Sequence, residues 1–402
     1  MTTIQQQLDL IATCSQDKIG VTRYSFTREH KQALKIIKSW MLAAGLTVSI
    51  DDAGTLIGEL KSQNKKAKTL LLGSHQDTVK HGGKYDGIMG VLLPILTIKN
   101  IQKKNIQLPF HVQVLAFADE EGMRFPTALL GPRALAGTLK KEYLSLKDKN
   151  NISINDALKS FNLSEKKILK LKRDRKKIIG FIETHIEQGP VLEKKNLPLG
   201  IVTGIAGISR FNLSVKGYSS HAGTTPISYR KDSLLGLNEI NLMCENIAKK
   251  NDDVIITIGE IHNKPNVPNA IPSESNAVLE FRSINNKKRL NIEKKISNII
   301  HQITKKRKLQ FKIVKTYEQS AVLCSKQLMN TLIKSFKINN QTVFKLPSGA
   351  THDASAMSDL CNVAMLFIRS KNGLSHNPKE FSSEKDMREA IKILETAIIN
   401  IT

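Results

Sequence analysis

The chain has 402 residues, more than one average domain holds, so two domains are expected. Hydrophobic residues make up 40% and charged residues 24%, an ordinary globular balance with no apolar run near the roughly 18 to 20 residues that a membrane span needs. The net charge of +25 invites a nucleic-acid reading, but the lysines are scattered and aromatics reach only 5%. The expected partner is therefore a small anion, with no nucleic acid and no membrane.

The opening stretch "MTTIQQQLDLIATCSQDK" has no basic start, apolar stretch or cleavage signal, which makes a cytoplasmic location the default expectation. Cys14, Cys244, Cys324 and Cys361 lie far apart with no CxxC pair, which argues against a disulfide scaffold and a thiolate zinc site. "REHKQALKIIKSWMLAAGL" predicts an amphipathic helix ending at Gly45, and "KTLLLGSHQD" a short strand that breaks into a polar loop. "GIMGVLLPILTIKNIQKK" then reads as a buried helix and "FHVQVLAFADEEG" as a strand. "KIIGFIETHIEQG" and "NVAMLFIRSKNG" repeat the pattern of apolar strand, polar residues and glycine, while the charged segment 164–177 reads as an exposed helix or loop. Strands alternating with helices predict an α/β domain with a mostly parallel sheet. From Ser209 the pattern changes to four strands and two helices, an α+β insert over 209–318. The α/β part is thus discontinuous, 1–208 and 319–402.

Chemistry-bearing residues follow each α/β strand. His75 and Asp77 come after "TLLLGS", Glu120 and Glu121 after "VLAFAD", His185 and Glu187 after "FIET", and His376 in the loop after "AMLFIRS". Ligands bind outside the carboxyl ends of parallel strands, so these side chains should converge. Asp86, in the glycine-bracketed "HGGKYDGIMG", can turn toward the same crevice. A single histidine is more often a surface or core residue, but repeated placement at strand ends points to a metal site of N and O donors suited to Zn²⁺, Mn²⁺ or Co²⁺. A cation would also offset the repulsion of the adjacent glutamates, one binding it and the other taking a proton from water.

The stretches "GVTRYSFTREH", "GSHQDTVKHGGKYDGIMGV", "DEEGMRFP", "HIEQGPVLE", "GYSSHAGTTPISYRKD", "PNAIP", "SGATHDA" and "NGLSHNPKE" occur in order along nearly the whole chain. Together they resemble the amidase, hydantoinase and carbamoylase branch of the dinuclear zinc peptidase and aminoacylase superfamily. The resemblance implies two divalent metal ions: His75 and His185 bind one, Glu121 and His376 the other, and Asp86 bridges them. It implies that Asp77 orients the His75 imidazole and that Glu120 is the general base. It makes the insert a lid and homodimerisation domain, whose His221 stabilises the oxyanion. Gln188, Asn269, Arg282 and His352 match substrate-binding positions, with Arg282 suited to grip a carboxylate.

Departures from the family pattern occur at Thr351 and Ser273, where glycine is usual, and after Gly54, where Asn is usual. Thr351 bears on the fit of substrate. The implied reaction is hydrolysis of a linear ureido C–N bond. "LPSGATHDASAM", "AMLFIRSKNGLSHNP" and "LPLGIVTGIAG" resemble allantoate amidohydrolases, which release ammonia and CO2. An N-carbamoyl-L-amino-acid hydrolase or β-ureidopropionase is the alternative. From another class, a catalytically degenerate basic binding protein would require loss of the base or a ligand, and all of them are present.

Overall fold

The computed structural model describes residues 2–401. They form two compact units, one running to Thr203 and resuming at Cys324, the other Gly204–Leu323. The strands in chain order are β1 (Thr47–Ile50), β2 (Leu56–Leu60), β3 (Thr69–His75), β4 (His111–Phe117), β5 (Ile178–Ile186), β6 (Leu199–Ile205), β7 (Gly207–Lys216), β8 (Ile255–Lys264), β9 (Glu274–Ser283), β10 (Gln310–Gln319), β11 (Val322–Leu323), β12 (Lys345–Ser348) and β13 (Val363–Ile368).

In the larger unit the sheet runs β1-β2-β4-β3-β5-β13-β6, with β12 beside β6. β4, β3, β5 and β13 are mutually parallel, as the alternation of strands and helices predicts. The flanking strands β1, β2 and β6 pair antiparallel, and the hairpin of β1 and β2 leaves little trace in the sequence because β1 is largely exposed and lacks an apolar run.

The helix Arg28–Ala43 starts where the Thr27 side chain accepts the His30 N–H, and buries His30, Ala33, Leu34, Ile37 and Met41 along one stripe. The helix Ile88–Lys103 is buried nearly all round and lies in the same core as Glu384–Ile399. Gly90 lets it approach the sheet, since a Cβ there would sit 2.1 Å from the Thr184 carbonyl oxygen and 2.7 Å from the Ser74 Cβ. That contact brings the loop just before the helix, which carries Asp86, to the ends of β3 and β5.

The smaller unit is an antiparallel sheet in the order β10-β7-β9-β8, and the short β11 pairs with Gly204 and Ile205. Its helices Ser233–Lys249 and Asn286–Lys306 share a core with Leu213, Val215, Ala277, Leu279 and Phe281 of the sheet. Burial alternates residue by residue along β9, the signature of a sheet covered on one face. All four cysteines are free and buried. Among the described residues no helix is long and apolar enough to cross a membrane.

Candidate metal centre and active site

β3 and β5 end in parallel, which puts His75 at the tip of one and His185 near the tip of the other, their rings 5.7 Å apart. Asp86 enters between them. Its Oδ1 lies 3.0 Å from His185 Nε2 and 3.6 Å from His75 Nε2, and its Oδ2 lies 3.3 Å from His376 Nε2. Glu121 Oε1 is 3.7 Å from the same His376 nitrogen. The donor atoms thus form two groups that share Asp86: His75, Asp86 and His185, and Asp86, Glu121 and His376. Glu120 groups with His75 and Glu121.

The chemistry of this donor set fits divalent cations. His75 Nδ1 lies 2.9 Å from the Asp77 backbone carbonyl, and His185 Nδ1 lies 2.9 Å from that of Ile186. Each Nδ1 therefore carries a proton, so it is Nε2, the nitrogen facing the centre, that can offer a lone pair once deprotonated. The carboxylates are crowded. Burial, followed by the charges of Asp353, Asp77 and Asp86, pushes Glu120 well above the usual carboxylate range. Burial, then Asp86 and Glu120, does the same to Glu121. Burial would lower His185, but the hydrogen bond and charge of Asp86 outweigh it and raise it to about 9. Two divalent cations would offset this like-charge crowding and compete for the imidazole lone pairs.

Asp77 meets the His75 imidazole through its backbone. Its backbone carbonyl, not its carboxylate, faces His75; the carboxylate accepts the N–H groups of Glu120 and Glu121, each at 3.1 Å. The reason is the turn after β4: Asp119 has φ +63°, which points the next two N–H groups back at β3. Gln188 and His376 are also left-handed, at φ +57° and +54°. Such non-glycine backbone costs about 1–3 kcal/mol each and persists where the surroundings impose it.

Other expected substrate contacts have local partners. Gln188 Nε2 donates to Asp86 Oδ2 at 3.0 Å and Ser375 Oγ at 3.1 Å, so it supports the aspartate. His352 is buried, edge-on to His185 at 4.6 Å, with Nε2 2.7 Å from the Ser348 hydroxyl. In the smaller unit, His221 is exposed and its Nδ1 accepts the N–H groups of Gly223 and Thr224 at 3.1 and 3.2 Å, leaving Nε2–H as an outward donor. The adjacent Ala222 N–H donates to the exposed Asn269's carbonyl at 3.0 Å. Arg282, on β9, donates from Nε to Glu280 at 2.6 Å, and Glu280 also receives Arg210.

Several residues around the centre escaped the strand-end reading. Glu183 lies fully buried two positions before His185, on the same face of β5, and accepts the Ser74 hydroxyl at 2.7 Å and the Ala354 N–H at 2.8 Å. A glutamate inside an otherwise apolar strand was the available signal. Asp353 is buried, and burial, followed by the charges of Glu183, Asp77 and Glu121, pushes it well above the usual carboxylate range. Glu380 accepts the N–H groups of Tyr85 and Asp86, and burial, followed by the charge of Asp86, pushes it up to about 7.

The model of Peptidase family M20/M25/M40 matches residues 71–400. An N-carbamoyl-L-amino acid amidohydrolase of Geobacillus stearothermophilus is 35% identical over 390 residues, covering 97% of this chain and 95% of that protein. An allantoate deiminase of Arabidopsis thaliana is 37% identical over 396 residues, covering 90% and 75%. The crystal structure of a hydantoinase/carbamoylase family amidase from Burkholderia ambifaria superposes with a TM-score of 0.91 at 26% identity, covering 98% and 95%. The chain belongs to Peptidase family M20/M25/M40, in its hydantoinase/carbamoylase branch of amidohydrolases, and is a hydrolase of carbon–nitrogen bonds in linear amides.

Proposed function

We propose that the chain hydrolyses the ureido C–N bond of allantoate, releasing ammonia and CO2 from one ureido arm, in a cytoplasmic homodimer that carries two divalent metal ions. The observation that carries the metal-dependent part is the sharing of Asp86 between two donor groups, one completed by His75 and His185 and the other by Glu121 and His376. When bound, the cations supply Lewis-acid polarisation of the scissile carbonyl and a more acidic water. Zn²⁺ and Mn²⁺ suit these N and O donors, and Co²⁺ is a third candidate.

The residues divide the remaining work. Glu120 accepts a proton from the attacking water and delivers it to the departing nitrogen; its buried surroundings, which favour the protonated acid, suit that relay. The Asp77 carboxylate holds the glutamate pair by accepting the backbone N–H groups of Glu120 and Glu121. His221 is assigned the oxyanion donor, because its Nδ1 is already saturated by backbone donors and its Nε2 carries the free proton. Asn269 and Arg282 are assigned to substrate in the lid and dimerisation unit, with Arg282 exchanging its Glu280 bond for a substrate carboxylate. His352 and Gln188 contribute further polar contacts.

A second reading, an N-carbamoyl-L-amino acid as substrate, is supported by the Geobacillus relative, which matches over nearly the full length of both chains. β-Ureidopropionate is a third substrate of the same class. The test is ammonia release by protein reconstituted with Mn²⁺, Zn²⁺ or Co²⁺ from a panel of allantoate, several N-carbamoyl-L-amino acids and β-ureidopropionate. Allantoate should show the highest kcat/KM. A higher value for an N-carbamoyl amino acid assigns the second reading, and no turnover with any metal defeats both.

A further inference from the structure

We infer that Glu380 is a positioning residue for Asp86: it fixes the loop and, through Ser375, the carboxylate that two metal ions would share. The inference rests on the reading of Asp86 as the shared metal ligand.

Asp86 has no strand to hold it. It lies in a loop between β3 and the helix Ile88–Lys103, and a shared ligand must present both oxygens in fixed directions. Glu380, 294 positions further on and only 4% exposed, supplies the missing support. Its Oε1 accepts the N–H of Tyr85 and the N–H of Asp86 itself, each at 3.0 Å. Its Oε2 lies 3.0 Å from the Ser375 hydroxyl, which also lies 3.1 Å from Asp86 Oδ2. A hydroxyl has one proton to give, so Ser375 bridges the two carboxylates and donates to one at a time, while its oxygen receives Gln188 Nε2 at 3.1 Å. Gln188 donates to Asp86 Oδ2 as well, at 3.0 Å. Oδ2 is thereby held from the side of the second donor group, while Oδ1 stays between the two imidazoles.

Room for this carboxylate is built into the loop. A Cβ at position 83 would lie 2.3 Å from Glu380 Oε1 and 2.4 Å from its Cβ and Cδ, so only glycine admits Glu380 here. The glycine in "HGGKYDG" and the glutamate in "NPKE" are two parts of one fitting.

The experiment measures Mn²⁺ affinity and stoichiometry of the full-length chain, with the thermal midpoint of the metal-free protein as a parallel readout. Glu380→Ala should bind Mn²⁺ roughly 10- to 100-fold more weakly. Glu380→Gln keeps an oxygen for both N–H groups and should recover most of the affinity. Ser375→Ala, which leaves the anchor intact, should lose affinity by a smaller factor. A lower midpoint with wild-type Mn²⁺ affinity in Glu380→Ala would show a purely structural role and overturn the inference. If Glu380→Ala does not fold, wild-type affinity in Ser375→Ala overturns it equally. Asp86→Asn separates the two layers. Weak binding there with normal binding in Glu380→Ala refutes the positioning role alone, whereas normal binding in Asp86→Asn refutes the shared-ligand reading beneath it.

Discussion

Glu120 and Glu121 are neighbours in the chain with unequal surroundings. Glu121 reaches the group of Asp86 and His376, whereas Glu120 approaches only His75 and Glu121 and is buried beside Asp353 and Asp77. Both are pushed well above the usual carboxylate range, so it is this difference in neighbours that motivates the proposed division of ligand and proton carrier. Glu121→Gln should lose bound metal, measured per chain after dialysis, and wild-type metal content would contradict its role. Asp77 acts one step behind them. Asp77→Asn keeps the shape but replaces one acceptor oxygen with a donor, which would face a Glu120 or Glu121 N–H. A loss of about 10- to 100-fold in metal affinity or kcat/KM is expected, and unchanged values in both would remove Asp77 from the site. The sequence pattern placed Asp77 at the centre but could not say which of its groups faces which neighbour. That depends on the left-handed turn at Asp119, and nothing in a single residue type announces that turn.

At the level of elements, the parallel centre was legible because each strand is a short apolar run ending in polar residues, and buried parallel strands read that way. The antiparallel edges were not, since β1 has no apolar run to betray it. Glu380 was hidden for a related reason: it lies in a loop, and its meaning comes from a partner loop almost 300 residues away. Two predictions belong to the helices. Gly90→Ala would drive a methyl into the Thr184 carbonyl, so overpacking should cost about 1–3 kcal/mol in urea unfolding, and an unchanged midpoint would contradict the close approach. His30, on the Arg28–Ala43 helix, accepts the Phe26 N–H through Nδ1 and has no partner for Nε2. Burial, followed by the charges of Arg23, Arg124 and Lys31, lowers it to about 3. The unfolded chain therefore binds a proton that the folded chain refuses. Stability is complete above the ordinary histidine value of 6.5 and falls as pH drops toward 3, by about 2 kcal/mol at pH 5. His30→Asn keeps an acceptor and should flatten that slope in urea midpoints measured from pH 7.5 to 5. Equal slopes would count against a neutral His30.

For the whole molecule, the charge excess matters more for substrate arrival than for the fold. With 61 Lys and Arg against 36 Asp and Glu, the field should speed the encounter with an anionic ureido compound. Accordingly kcat/KM for a carboxylate substrate should fall several-fold between low salt and ~0.3 M, mostly through KM, while a neutral amide analogue should respond little. A flat salt profile for both would show that the lysines carry no steering role. The antiparallel unit covers Gly204–Leu323, whereas the change of sequence pattern set the expected insert at 209–318. The choice of ureido substrate was not legible in the sequence, because it turns on the shape of a pocket that residue types alone do not define.

The most direct measurement compares Glu120→Gln with the wild-type chain for metal content and ammonia release. The variant should hold as many divalent ions per chain as the wild type, two on the proposed reading, while turnover on the preferred substrate falls by about 100-fold or more. Retained turnover, or loss of metal along with activity, would contradict the assignment of Glu120 as the proton carrier.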